Sequence, residues 1–114
     1  HRPATLPATL GKLIRLRELH LHDNRLTTLP ASCGDLASLD HLDLRNNHLT
    51  ALPDTLGALT ALTHLDLRAN RLLTLPASLG DLPNLRKLDL RWNKLREYPA
   101  WLGHLEARGC VVLR

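Results

Sequence analysis

The residues of this chain that could do chemistry fall at even intervals. Asp43, Asp66 and Asp89 stand 23 residues apart, and each is followed two places later by an arginine, Arg45, Arg68 or Arg91. One interval earlier the same two places hold His20 and His22, and two places before this column lie Glu18, His41, His64 and Lys87. Alternate residues of an extended chain share a side, so each triplet presents its polar groups on one face. Carboxylates beside guanidiniums form a compensated ladder. Such a ladder either keeps a sheet soluble or serves as a recognition strip, in which arginine offers paired N–H groups to a partner's carboxylates. His20, His22, His41 and His64, with Glu18, Asp43 and Asp66 nearby, are also groups able to hold zinc, and the separation of His41 from His64 suits it. Nothing in the spacing closes a site around an ion, so the histidines are read as solvated side chains and no metal or cofactor is assigned. The chain has no phosphate-binding loop, no Gly-x-Ser-x-Gly turn and no cysteine positioned with histidine. Enzymatic chemistry is therefore not expected, and binding is the expected class of function.

The elements that hold these columns repeat with the same period. Leu16, Leu19, Leu21, Asn24, Leu26, Leu29, Pro30, Gly34 and Leu36 return three times at intervals of 23 residues, with Tyr98 in place of one leucine in the last copy. A period in this range is the mark of a solenoid, whose units bury their apolar sides only by stacking. The units are a half repeat at 1–15, full repeats at 16–38, 39–61, 62–84 and 85–107, and a closing strand at 108–114. Val111 and Leu113 are expected to keep the phase of Leu88 and Leu90.

Each repeat changes character halfway. In His64-Leu65-Asp66-Leu67-Arg68 leucines alternate with polar residues, which predicts a half-buried strand, and parallel stacking of such strands makes a continuous sheet. Asn24, Asn47, Asn70 and Asn93 lie between core leucines, where an amide can satisfy backbone groups of the adjoining turn and of the next repeat. The second half, Leu75-Pro76-Ala77-Ser78-Leu79-Gly80-Asp81-Leu82, predicts a short 3₁₀ or α turn begun by proline, with Leu79 and Leu82 on one side. Glycine is expected to let the backbone turn toward the next strand.

The run from Leu52 to Leu72, Leu-Pro-x-x-Leu-Gly-x-Leu-x-x-Leu-x-x-Leu-x-Leu-x-x-Asn-x-Leu, resembles the 23-residue class of leucine-rich repeats. That class is found in Ras-suppressor-like, scribble-like and plant intracellular Ras-group proteins and in many bacterial proteins. The resemblance covers nearly the whole chain. It implies an α/β solenoid with a parallel sheet on the concave face and short 3₁₀ or α turns on the convex face. It also implies protein recognition and scaffolding, with no particular ligand.

At 114 residues there is room for one core, and no apolar run is long enough to span a membrane. No export signal is visible, and a cytoplasmic setting is the default. Cys33 and Cys110 lie too far apart along the stack to bridge each other. Ala100 to Arg108 is expected to form a longer helix stopped by Gly109, and Cys110 to Leu113 a last strand that closes the end; an exposed strand edge is the other reading. The N-terminal side offers Leu6, Leu10 and Leu13 without a polar capping unit, so self-association through the ends is a further expectation.

Ten of the fifteen basic residues, but only six of the eleven acidic ones, fall on the strand face and its adjoining edge, so the whole net charge of +4 belongs there. The expected partner is a protein with an acidic surface. Nucleic acid is the alternative, weakened by the interleaved aspartates and by the lack of stacking aromatics other than Trp92. Trp92 takes the place of Asp23, Asn46 and Ala69, and is read as an exposed anchor or as packing against the C-terminal closure.

Overall fold

The computed structural model describes residues 5–114; the first four residues of the half repeat lie outside it. Five short parallel strands form one sheet in chain order: β1 Glu18–His20, β2 His41–Asp43, β3 His64–Asp66, β4 Lys87–Asp89 and β5 Val111–Leu113. Through β4 every residue lies beside the one 23 places later, as in Leu19, Leu42, Leu65 and Leu88. Those leucines point inward, and from Leu42 onward they are buried. On the opposite side run four 3₁₀ turns, Ala8–Lys12, Ala31–Asp35, Asp54–Ala58 and Ala77–Asp81, each entered from a proline in extended conformation. Leu56, Leu79 and the matching Cys33 turn inward from them and close the core. Cys33 and Cys110 are both free and buried, and burial pushes the Cys33 thiol up to about 11.

The glycine of each turn has a different task from the one its type suggests. None of the turn glycines has a positive φ, so none is needed to redirect the chain. What they lack is a Cβ. A Cβ on Gly34 would lie 2.4 Å from the carbonyl oxygen of Thr55, and one on Gly57 would lie 2.5 Å from the Cβ of Ser78. The hydroxyl-bearing residue of the following turn presses against this bare backbone while its side chain reaches back: Thr55 Oγ1 donates to Ala31 O and Ser78 Oγ to Asp54 O, both at 2.7 Å. At the next position Trp101 replaces the hydroxyl residue, and its ring covers Gly80.

The asparagines tie the stack from within. Asn70 is 4% exposed and makes four bonds. Its Nδ2 donates to Leu67 O and Arg68 O in its own repeat and to Leu44 O in the one before, and its Oδ1 accepts from Leu49 N. Asn47 and Asn93 repeat the pattern. The amides thus reach the preceding repeat rather than the next one. Among the described residues Asn24 bonds Leu21 O and His22 O, both of its own repeat.

The C-terminal end departs from the expected phase. Lys87 lies beside Val111 and Leu88 beside Val112, a spacing of 24 residues. Val111 is accordingly exposed rather than a counterpart of Leu88. The cause is the last turn, which is a full α-helix, α1, Trp101–Ala107. Gly109, at φ 95°, stops it. Gly109 N donates to Glu106 O and Cys110 N to Leu105 O, the paired bonds of a left-handed helix stop. This wider turn uses one more residue before rejoining the sheet. Leu102, Leu105 and Cys110 are buried beneath it. At the other end Leu13 and Ile14 are more than half exposed, and Leu6, Leu10, Leu16, Leu19 and Leu21 are only partly covered.

Two outcomes follow from this packing. Asn70→Ala leaves buried backbone groups of two repeats unpaired and should cost roughly 1–3 kcal/mol in denaturant unfolding, whereas Arg71→Ala, an exposed neighbour, should leave the midpoint nearly unchanged. Backbone amides of Ala8–Lys12 should exchange with solvent well before those of Asp54–Ala58, since opening is easiest where apolar burial is least; equal protection in the two turns would contradict the assignment of the weak end.

Candidate functional site

The sheet's outward side carries a shallow depression of about 190 Å³, lined by His20, His41, Asp43, His64, Asp66, Lys87 and Asp89 above Leu42 and Leu65. These polar residues come from four strands and meet only because the register is constant. Glu18 lies at the start of β1, where its carboxylate bonds His20 Nε2 at 2.9 Å. That bond holds the Glu18 carboxyl below its usual range. His22, Arg45, Arg68 and Arg91 follow the strands two places beyond the aspartate column, and Trp92 marks the edge of the face.

The carboxylates and guanidiniums interlock. Asp66 accepts from Arg68 at both oxygens, Nε to Oδ1 at 3.0 Å and Nη2 to Oδ2 at 2.7 Å. The same Nε lies 3.2 Å from Asp89 Oδ2 on the next strand. Asp89, only 2% exposed, accepts from Arg91 Nε and Nη2 at 3.0 and 2.8 Å. The backbone N–H groups of Arg45, Arg68 and Arg91 add a bond to Oδ1 of the aspartate two residues back. Much of the arginine fork is therefore spent on the chain's own carboxylates. Burial by itself would raise the Asp66 carboxyl, but the side-chain and backbone bonds from Arg68 and its charge outweigh this and hold it below the ordinary value. Bonding to Asp66 raises the Arg68 guanidinium in turn.

Two features of the face were not foreseen from residue types. Asp40 and Thr63, just before β2 and β3, join the histidines: Thr63 Oγ1 bonds Asp40 Oδ1 and lies 2.8 Å from His64 Nδ1. Asp40 is held below its usual range chiefly by that hydroxyl, and desolvation, then the charge of His41, lowers His64. The signal was the column Arg17, Asp40, Thr63, Arg86, which shares the 23-residue interval. Second, Asp23, Asn46, Ala69 and Trp92 all have φ between 55° and 61°. Aspartate and asparagine tolerate this left-handed conformation better than most residues, so their presence at the first two positions was the available clue. Asn46 Nδ2 donates to Asp23 Oδ1 at 2.7 Å along the column. Trp92 does not pack under the closing helix. It is 70% exposed, with the Arg91 guanidinium carbon 5.6 Å from its ring centroid.

The depressed Asp66 carboxyl links the ladder to pH. Its folded value lies below the unfolded value of about 3.9, so its stabilisation is complete above that pH and is lost as pH falls through the folded value. Asp66→Asn should melt lower than the parent at pH 7, and the difference should shrink as the pH falls below about 4; a difference independent of pH between 7 and 2.5 would mean that the ion pair contributes nothing.

The family model for the leucine-rich repeat region matches residues 6–107. Among curated protein sequences, none matches the chain. Among solved structures, a leucine-rich repeat protein of Leptospira interrogans is 36% identical over 97% of this chain, with a TM-score of 0.87. A plant ice-binding protein is 35% identical over 80% of the chain, TM-score 0.72. A plant peptide hormone receptor, RGFR1, solved in complex with RGF2, is 34% identical over 80%, TM-score 0.73. The chain spans 28%, 31% and 15% of those three structures' chains, respectively. With the match extending from the first described leucine through the closing helix, the chain belongs to the leucine-rich repeat family.

Proposed function

We propose that the chain binds a protein partner by seating an acidic segment across the strand face, with Trp92 as its anchor. The leucine-rich repeat fold is a general protein-interaction module, and the single observation that carries the finer reading is Trp92 itself. It combines a left-handed backbone with 70% exposure. A large side chain in that conformation costs of the order of 1 kcal/mol, and nothing in the fold offsets it by burial. Exposed tryptophans flanked by arginine are typical of residues on which binding concentrates. The charges that remain available lie around it. Arg71, Arg86, Lys87 and Lys94 are exposed and make no ion pair among the described residues. The internally paired Arg45, Arg68 and Arg91 set the shape and orientation of the strip, and these unpaired cations give it its sign.

Variants that reverse Arg68 or Arg91 are poor probes, since each places a negative charge against carboxylates that these guanidiniums hold in the fold. Trp92→Asn is the better one. It installs a residue suited to φ 61°, so the melting temperature should stay or rise while capture of the partner from a source lysate is lost. Lys87→Glu should weaken capture, Lys12→Glu on the turn side should not, and all capture should fall as salt is raised, because exposed charges are screened over about 10 Å at 0.1 M. Retention of the same proteins by Trp92→Asn would refute this reading. Loss of all bound material after nuclease treatment would transfer it to nucleic acid.

A further inference from the structure

The Asp-x-Arg ladder runs through the repeats of β2, β3 and β4, and in the repeat of β1 its two places hold His-x-His instead. There His20 ends β1 and His22 lies two residues beyond it, both near Asp43 of β2 across a register that sets His20 beside it. We infer that His20, His22 and Asp43 form a binding site for a zinc ion.

The geometry is that of ligands awaiting a common centre. Asp43 Oδ2 lies 3.4 Å from His22 Nδ1 and 3.9 Å from His20 Nδ1, and one ligand atom of each of the three residues lies within 4.8 Å of the others. Bonds of about 2.0–2.1 Å arranged tetrahedrally place ligand atoms roughly 3.3 Å apart, so His22 is already at the required spacing and His20 must close by about half an ångström. Both rings are substantially exposed and free to make that adjustment, with side chains 52% and 39% accessible. The rings are nearly perpendicular, at 80°, which lets both nitrogen lone pairs converge on one point.

The atoms outside the ligand set support the same assignment. Glu18 occupies the other nitrogen of His20, Nε2, at 2.9 Å, which favours a proton there and leaves Nδ1 with its lone pair toward Asp43. A carboxylate behind a ligating histidine is the usual orienting partner of such sites. The backbone N–H of Arg45 holds Asp43 Oδ1 and turns Oδ2 toward the histidines. His22 Nδ1 is shielded from solvent yet makes no hydrogen bond, so a cation supplies what that atom lacks. One group opposes binding: Arg45 Nε lies 3.3 Å from Asp43 Oδ2 and has to give way.

The second histidine cluster, Asp40, His41 and His64, meets the same distance condition but not the directional one. Its rings are stacked at 4.3 Å and only 8° from parallel. A metal lies close to the plane of each imidazole that binds it, because the nitrogen lone pair lies in that plane. Two parallel planes separated by a ring stack share no such point. The pair that looked suitable by sequence spacing is therefore excluded by orientation, and the His-x-His strand takes its place.

Titration of the metal-free 114-residue chain with zinc chloride, followed by calorimetry and by the histidine side-chain NMR signals, tests the assignment. One zinc should bind, shifting His20 and His22 signals. His20→Ala and His22→Ala should each weaken it at least tenfold, His41→Ala and His64→Ala should leave it unchanged, and Arg45→Gln, which removes the competing cation, should tighten it. Zinc should also raise the melting temperature of the parent but not of the His20→Ala, His22→Ala double variant, since it joins β1 to β2. No binding by the parent, or equal affinity in that double variant, or loss in the His41 and His64 variants instead, would overturn the site.

Discussion

A buried carboxamide that must satisfy backbone groups of two repeats at once sets the geometry on which everything else in this molecule rests. Three leucine-flanked asparagines each accept from an N–H 21 residues back and donate to a carbonyl 26 residues back, besides bonding their own turn. Unpaired polar groups in an apolar interior are too costly to leave, so a repeat can sit on its predecessor in one register only. That register aligns the strands at intervals of 23 residues, and the alignment is what turns isolated Asp-Leu-Arg triplets into a continuous ladder. At Asn24 the bonds among the described residues stay within its own repeat, and Leu16, Leu19 and Leu21 beside it are only partly covered.

The ladder explains why a basic face need not behave as a row of free arginines. Asp89 is nearly inaccessible and is held by Arg68 and Arg91, and Asp66 is held at both oxygens by Arg68. Such groups are partners of the fold first. On the reading proposed above, recognition passes to the side chains that the ladder leaves over, Lys87, the flanking cations and Trp92. The structural relatives bear on this indirectly. A plant ice-binding protein and a peptide hormone receptor each match 80% of this chain at similar identity, so the repeat framework is common to proteins with different ligands.

The inward half of the chain was legible because period and residue type are enough to specify it. Leucine spacing located the core, prolines located the turns, and Asn47 and Asn70 could only be buried and bonded. Three features depended on contacts that a linear reading does not contain. The role of Gly34 and Gly57 is set by the residue that arrives 21 places later, Thr55 or Ser78, and not by their own dihedral angles. The longer last helix and its Gly109 stop were readable, but not that this helix takes up one more residue and shifts the pairing of β5 to Lys87–Val111. The outward face was legible as columns but not as directions. Sequence spacing favoured His41 with His64, yet whether two rings stack or cross is decided by their torsion angles: His41 and His64 stack, whereas His20 and His22 stand at 80° to each other.

The bare glycine backbone on the turn side has one more consequence. In an arc built of wedges, the spacing of the outer rim relative to the inner one determines the radius. Hydrogen bonding holds the inner rim at the strand spacing of about 4.8 Å, so the only adjustable quantity is how closely successive turns approach. By admitting the next backbone to a distance that a Cβ would forbid, Gly11, Gly34 and Gly57 let the outer rim narrow, which lowers the curvature of the arc. The openness of the strand face is therefore governed from the far side of the molecule, by residues that no ligand on that face would touch.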